Sequence, residues 1–195
     1  MPMRTLAVTM LVFTLTGVGL AQKSIRQVDF KNYTYPISGL RLGHDRLEWI
    51  DPAQRGHITL VNGEDAERDA TDLPGFAFQS VTFADVTGDR SDDAVVVLRY
   101  DTGGTQSTDY VYIYSLAGGQ PKLLAYCHTG DRAYRGLHKV YGEHGTLVFE
   151  LFGPRKRTGD CCSTGFIRTR YRWRDGRFEP FANEEYGSFK SEEHP

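Results

Sequence analysis

The residues best placed to do chemistry lie in one acidic stretch, Asp85-Val86-Thr87-Gly88-Asp89-Arg90-Ser91-Asp92-Asp93. Asp85, Thr87, Asp89, Ser91 and Asp93 set oxygen-bearing side chains at alternate positions. A hard cation such as Ca²⁺ takes about six to eight oxygens at about 2.3–2.6 Å, so the stretch is a candidate Ca²⁺ loop. The competing reading is an Asx-rich turn whose carboxylates cap backbone N–H groups without metal. A second constellation is cationic. Strand alternation sends Arg168, Arg170, Arg172 and Arg174 to one face, and Ile167, Thr169, Tyr171 and Trp173 to the other. Either cross-strand carboxylates such as Glu150 and aromatic faces such as Tyr112 answer these arginines, or they bind an anionic partner. That partner would be a cell-surface polymer, lipid headgroups or an acidic protein patch. No catalytic residue is assigned: the six histidines are scattered, and no H-E-x-x-H, G-x-S-x-G or S-x-x-K frame occurs. Asp92 and Asp93, adjacent on a strand, should face opposite ways, which is the wrong geometry for glycoside hydrolysis.

Apolar residues flank the acidic stretch, Val81, Phe83 and Ala84 before it and Ala94 to Leu98 after it. With those flanks it resembles the calcium loop of the FG-GAP or VCBS repeat family, which reads Asp-Val-Asn-Gly-Asp-Gly-x-x-Asp before a hydrophobic strand. The resemblance implies Asp85, Asp89 and Asp93 as acidic ligands and Gly88 as the turn glycine. Thr87 departs from the family's Asn or Asp, and Arg90 departs from its glycine. Members are usually propeller blades in series, whereas one copy stands here, so the resemblance implies a local hairpin and not a propeller. The segments Gly104 to Leu124, Cys161-Cys162 and Tyr171 to Phe178 look like those of uncharacterised secreted bacterial β-rich proteins. That likeness implies export and names no activity.

The elements that must position these residues show a period of two. Phe78 to Val86, Ala94 to Asp101, Tyr110 to Leu116, Lys122 to Cys127, Leu137 to Tyr141, Thr146 to Phe152 and Phe166 to Trp173 are short runs rich in Val, Ile, Tyr, Phe and Thr. Glycine-bearing turns separate them, which predicts consecutive hairpins. Val28 to Tyr35 and His57 to Val61 predict two further strands, Gly43 to Asp51 a turn or strand, and Glu64 to Asp72 an acidic loop. The fold class is all-β or strand-dominated α+β: a single antiparallel meander sheet of about six to eight strands, its consecutive hairpins running from about residue 78 to 181, blade-like and short of a full propeller. Tyr110, Tyr112 and Tyr114 read as a packed cross-strand ladder or a sugar-stacking platform.

Residues 1–21 read as a signal peptide, with Arg4 before the uncharged run Thr5 to Ala21 and a cleavage site before Gln22. A single domain over 22–182 and a polar, loose tail over 183–195 follow. An exported chain predicts a disulfide among Cys127, Cys161 and Cys162, Cys127 closing a loop with either neighbour of the Cys-Cys pair. The formal net charge of -2 argues against nucleic acid. Yet charge is polarised: residues 131–177 hold 11 Lys and Arg against five acidic residues, and residues 40–109 hold 14 acidic residues against six Arg. The functional expectation is a periplasmic or secreted, non-catalytic interaction module with no membrane span after cleavage. The alternatives are a structural calcium-stabilised envelope module and a small extracytoplasmic hydrolase.

Overall fold

The run Ala94-Val95-Val96-Val97-Leu98 decides the architecture, because a strand apolar at every position needs cover on both faces. The computed structural model describes residues 24–37, 47–50, 56–67, 75–104, 106–130, 135–153 and 163–189. A 3₁₀ turn at Ile25–Gln27, capped by the Ser24 hydroxyl, leads into β1 (Thr34–Pro36). Then come β2 (Glu48–Ile50), β3 (His57–Val61), β4 (Glu64–Asp65), β5 (Gly75–Ala84), β6 (Asp93–Asp101), β7 (Ser107–Ala117) and β8 (Gln120–His128). These form one antiparallel eight-stranded sheet in the order β1-β3-β4-β5-β6-β7-β8-β2, curled into a half-barrel. The strand-dominated, antiparallel character is as expected and the sheet does not close into a propeller, but the single sheet expected from the consecutive hairpins over about 78–181 is not what forms.

The hairpins after β8 leave that sheet. β9 (Leu137–Glu143), β10 (Thr146–Phe152), β11 (Gly165–Arg174), β12 (Arg177–Pro180) and β13 (Glu185–Ser188) build a second one, in the order β12-β11-β10-β9. β13 pairs with the first half of β11 and β12 with the second half, so the two share one edge of that strand. The meander from 78 to 181 is therefore divided between two sheets, because β6 and β7 need a second cover.

Two cores follow from alternation along β6, β7 and β8. Ala94, Val96, Leu98, Tyr110, Tyr112, Tyr114 and Tyr126 face the concave side, where Ile25, Phe30, Tyr35, Leu60 and Phe76 close over them. Val95, Val97, Val111, Ile113 and Cys127 face the second sheet, where Val140, Leu147, Phe149, Leu151 and Phe178 meet them. Trp49 of β2 completes that layer, stacked on Phe178 at 5.5 Å between ring centroids.

Several local expectations need correction. The strand expected over Val28 to Tyr35 shortens to β1, because a turn closed by the Asn32 amide on the Asp29 carbonyl occupies its first half. Part of the acidic loop after Asn62-Gly63 is strand β4, paired with β3. The tail expected from residue 183 carries β13, since Glu185 sits opposite Arg168 and bonds it. Among the described residues no helix is long and apolar enough to cross a membrane; the segment 1–21 lies outside them.

Candidate functional site

In the acidic loop the carboxylates serve the backbone. Asp85 Oδ1 accepts from the Gly88 amide at 2.6 Å, and its Oδ2 from the Arg90 amide at 2.9 Å. Asp89 Oδ1 accepts from the Ser91 amide at 2.8 Å. Asp93 Oδ2 takes three donors, the Val86 amide at 3.0 Å and the Thr87 amide and hydroxyl at 3.1 Å each. Asp93 is fully buried, and burial pushes its carboxyl above the ordinary range against the pull of Val86, Ser115 and Thr87. Asp92 points away as expected and pairs with Arg26 at 2.6 Å. Arg90, standing where the repeat family has glycine, keeps the left-handed backbone that glycine would supply, φ 71°.

For Ca²⁺ the decisive observation is where the oxygens point. Among the described residues, no group of three or more His, Cys, Asp or Glu side chains draws together to hold a metal ion. Amide hydrogens already occupy both Asp85 oxygens and one Asp93 oxygen, so the loop as folded presents no converged oxygen shell. What it does present is a clamp. Val86 is buried in the layer between the sheets, and Gly88 packs against Gly145 in the β9–β10 turn. One turn further, a Cβ on Gly142 would stand 2.5 Å from the Ala84 Cβ, which is why β9 and β5 can cross so closely here.

The arginine row lies on the outer face of the second sheet, and its members are answered unequally. Glu150, opposite Arg168 in register and nearly buried, accepts from Arg168 at 2.9 and 2.7 Å and from the Tyr141 hydroxyl at 3.1 Å. Glu185 bridges Arg168, at 3.2 Å, to Arg170, which also reaches Glu143 at 3.4 Å. Arg172 instead stacks its guanidinium over the exposed Phe181 ring, 4.5 Å from the centroid. Arg174 faces Arg177 across the hairpin, and Arg177 holds Glu179. Tyr112 is not an arginine partner: it lies in the concave core, fully buried, with its hydroxyl on the Pro36 carbonyl at 3.0 Å.

The tyrosine ladder is packing. Tyr112 and Tyr114 are buried under the N-terminal segment and Tyr110 against Phe76, with Tyr112 stacked on Tyr126 at 5.1 Å. Cys127 is a free thiol buried between the sheets, with its pKa raised by burial; it is not one end of the expected disulfide loop. Register puts it opposite Val111 and Trp49, on the face that the second sheet covers. Cys161 and Cys162 lie outside the described residues, as do Arg155-Lys156-Arg157.

One site escaped the sequence reading. Arg99 and Asp109, partners in the β6–β7 register, form a two-pronged ion pair at 2.9 and 3.2 Å. Burial raises the Asp109 carboxyl and the Arg99 guanidinium pulls it back down. The pair lies in a groove of about 410 Å³ that Gln79, Ser80 and Thr82 of β5 share with the edge strand β9. The signal was available: by alternation Arg99 shares a face with Val95 and Val97, and Asp109 with Val111 and Ile113, all of which face the layer between the sheets. Comparison of the chain with models of known protein families, with curated proteins and with solved structures returns no match.

Proposed function

We propose that this chain is an exported, non-catalytic binding module that engages an anionic polymer through the outer face of its second sheet. The observation that carries the reading is the end of the arginine row. Arg172 and Arg174 are exposed and make no ion pair with any described residue. Arg174 sits directly opposite a third arginine, Arg177, and the one carboxylate on the paired strands of this hairpin, Glu179, stands opposite Arg172 and is bonded to Arg177, so three guanidiniums share a single acid. Like charges directly opposite on a sheet are destabilising, so an arrangement of this kind favours an external counter-charge. Alternate residues on a strand stand about 6.6 Å apart, a spacing suited to a chain that repeats its charge. Phe181 fixes the Arg172 guanidinium while leaving its N–H donors to solvent, and planar donors of this sort suit carboxylate or sulfate groups. Arg168 and Arg170 contribute less, because Glu143, Glu150 and Glu185 already hold them. Export rests on the leader-like run of residues 5–21.

The test is retention of the full mature chain on an anionic glycan resin at low salt. Arg172→Glu/Arg174→Glu should elute with the unretained fraction, and Arg168→Gln should stay retained. Equal retention of the wild type and the double variant overturns the reading. Binding to anionic vesicles with no glycan retention would transfer the surface to lipid headgroups and overturn the polymer assignment.

A further inference from the structure

We propose that β13 is an internal competitor on the arginine row, an acidic strand that a long polyanion displaces when it binds. This rests on the anionic-polymer reading of that face and adds its regulation: β13 sets how much of the row a ligand reaches.

The row itself is continuous, because Arg168, Arg170, Arg172 and Arg174 follow one another on one face of β11, about 6.6 Å apart. What differs along it is the neighbour on the shared edge. β12 lies beside Tyr171 to Arg174, and β13 beside Gly165 to Arg168. From β13 comes Glu185, opposite Arg168 in register, with one carboxylate oxygen on Arg168 at 3.2 Å and the other on Arg170. The structure thus holds one carboxylate seated across two successive guanidiniums, the contact that a polymer of repeating charge would make. A polymer already on Arg172 and Arg174 meets Glu185 at its next step, where like charges repel.

Glu185 is also the acid that the row can give up. When it leaves, Arg168 keeps Glu150 and Arg170 keeps Glu143, so neither guanidinium is stranded. The strand that carries it buries little. It is four residues long, Glu185 and Ser188 are exposed, and Tyr186 is 68% exposed. Short strands with few buried apolar contacts open at low free energy. The seat is made by glycines: a Cβ on Gly165 would overlap the Gly187 carbonyl oxygen, and the three atoms nearest to it all belong to β13. Phe189, just beyond the strand, packs on Phe152 and Phe166 with ring centroids 5.9 Å apart in each case, an anchor for the far end while 185–188 lifts. Residues 183–195 carry four Glu against one Lys, so the segment resembles a ligand of the row in charge. An acid tethered in this way acts at high effective concentration; it screens Arg168 and Arg170 from a short ligand and yields to a chain that brings many charges at once.

The probes are a heparin disaccharide and a heparin dodecasaccharide, titrated into the full chain by calorimetry and by NMR. In the free wild type, cross-strand Overhauser contacts should join residues 185–188 to 165–168. Saturation with the dodecasaccharide should abolish them and leave those between β11 and β12, a readout that depends on no variant. Gly165→Ala presses a methyl group on β13 alone and changes no charge; it should raise dodecasaccharide affinity about threefold or more and leave disaccharide affinity as it was. Glu185→Gln should also raise dodecasaccharide affinity about threefold or more. Glu184→Gln makes the same charge change one residue away, on a side chain that meets Tyr186, and should gain less than half as much. If the β11–β13 contacts persist at saturation, or if Gly165→Ala binds as wild type does, displacement is overturned and the polymer reading stands. If neither wild type nor Glu185→Gln binds the dodecasaccharide saturably, both are overturned.

Discussion

Replacing Asp93 by Ala and by Asn separates a loop held by its own amides from one held by a cation. In the Ala variant three donors lose their acceptor: the buried Val86 amide and the half-buried Thr87 amide and hydroxyl. A buried donor left unmade costs about 1–3 kcal/mol, and one that water can reach costs about 0.5–1.5 kcal/mol. Removing a carboxylate whose charge is disfavoured by burial offsets part of this. The net expectation is about 2–4 kcal/mol of destabilisation, or a Tm lower by roughly 5–12 °C for a chain of this size. Asp93→Asn keeps an acceptor and removes the charge, so its stability should lie within about 1 kcal/mol of wild type. The pH dependence has a definite sign. A carboxyl raised on folding binds more protons in the folded state, so wild type loses stability as pH rises from about 3.9 to its raised folded pKa. The Asn variant carries no such term, and its stability relative to wild type should therefore rise across that window. Thermal and urea melts at several pH values, each with Ca²⁺ and after exhaustive chelation, supply the readout. If chelation lowers the wild-type Tm by several degrees and Asn is as damaging as Ala, the amide-capping argument fails and the calcium loop stands.

Other perturbations reach the rest of the frame. Gly142→Val forces a side chain into the Ala84 crossing and should cost about 1–3 kcal/mol in urea unfolding. Glu150→Ala releases Arg168 and the Tyr141 hydroxyl; discounted for the partial exposure of Arg168, about 1–3 kcal/mol is expected, and a double-mutant cycle with Arg168→Ala should recover a coupling of at least about 0.5 kcal/mol. Arg99→Met strands the buried Asp109 charge: the variant should be less stable than wild type at pH 8 and approach it as pH falls and Asp109 protonates, while pH-independent loss would contradict the pairing. In a Cys161→Ser/Cys162→Ser background, Cys127 should resist a thiol reagent in the native state and react fully in denaturant; rapid native labelling would contradict its burial.

How far the sequence carried depended on whether a feature was local. The turns at Gly118-Gly119 and Asp175-Gly176 and the strands around them are legible because a period of two and a positive-φ residue are decided within a few positions. The Glu150 answer to Arg168 is legible for the same reason, as both lie on neighbouring strands joined in a meander. What is not local was not legible. Ala94 to Leu98 reads equally well as a strand with one covered face or two, and only the second sheet decides between them. Alternation places Tyr112 on a face, but which face that is depends on Tyr35 and Pro36, distant in sequence, which enclose it on the side away from the arginines. Cys127 is inward for the same non-local reason, and β13 forms by pairing with Gly165 to Arg168 of β11, a partner that no local pattern names.

One geometric mismatch ties the two charged sites together. β6 is apolar from Ala94 to Leu98 and charged at Asp93, Arg99 and Asp101, that is, at its ends. The second sheet covers the apolar stretch and stops short of both ends. At one end the acidic loop folds back, turns the Asp93 carboxylate onto its own amides, and seats Gly88 on the β9–β10 turn, so the gap is closed from within the chain. At the other end nothing equivalent occurs among the described residues. Asp109 satisfies Arg99, but the β9 edge and the Ser80 and Thr82 hydroxyls still face a cavity. One end of β6 is thus closed by a loop whose carboxylates cap its own amides, and the other is held by a single ion pair, so the Asp93 and Arg99 variants probe opposite ends of the same strand by different physics.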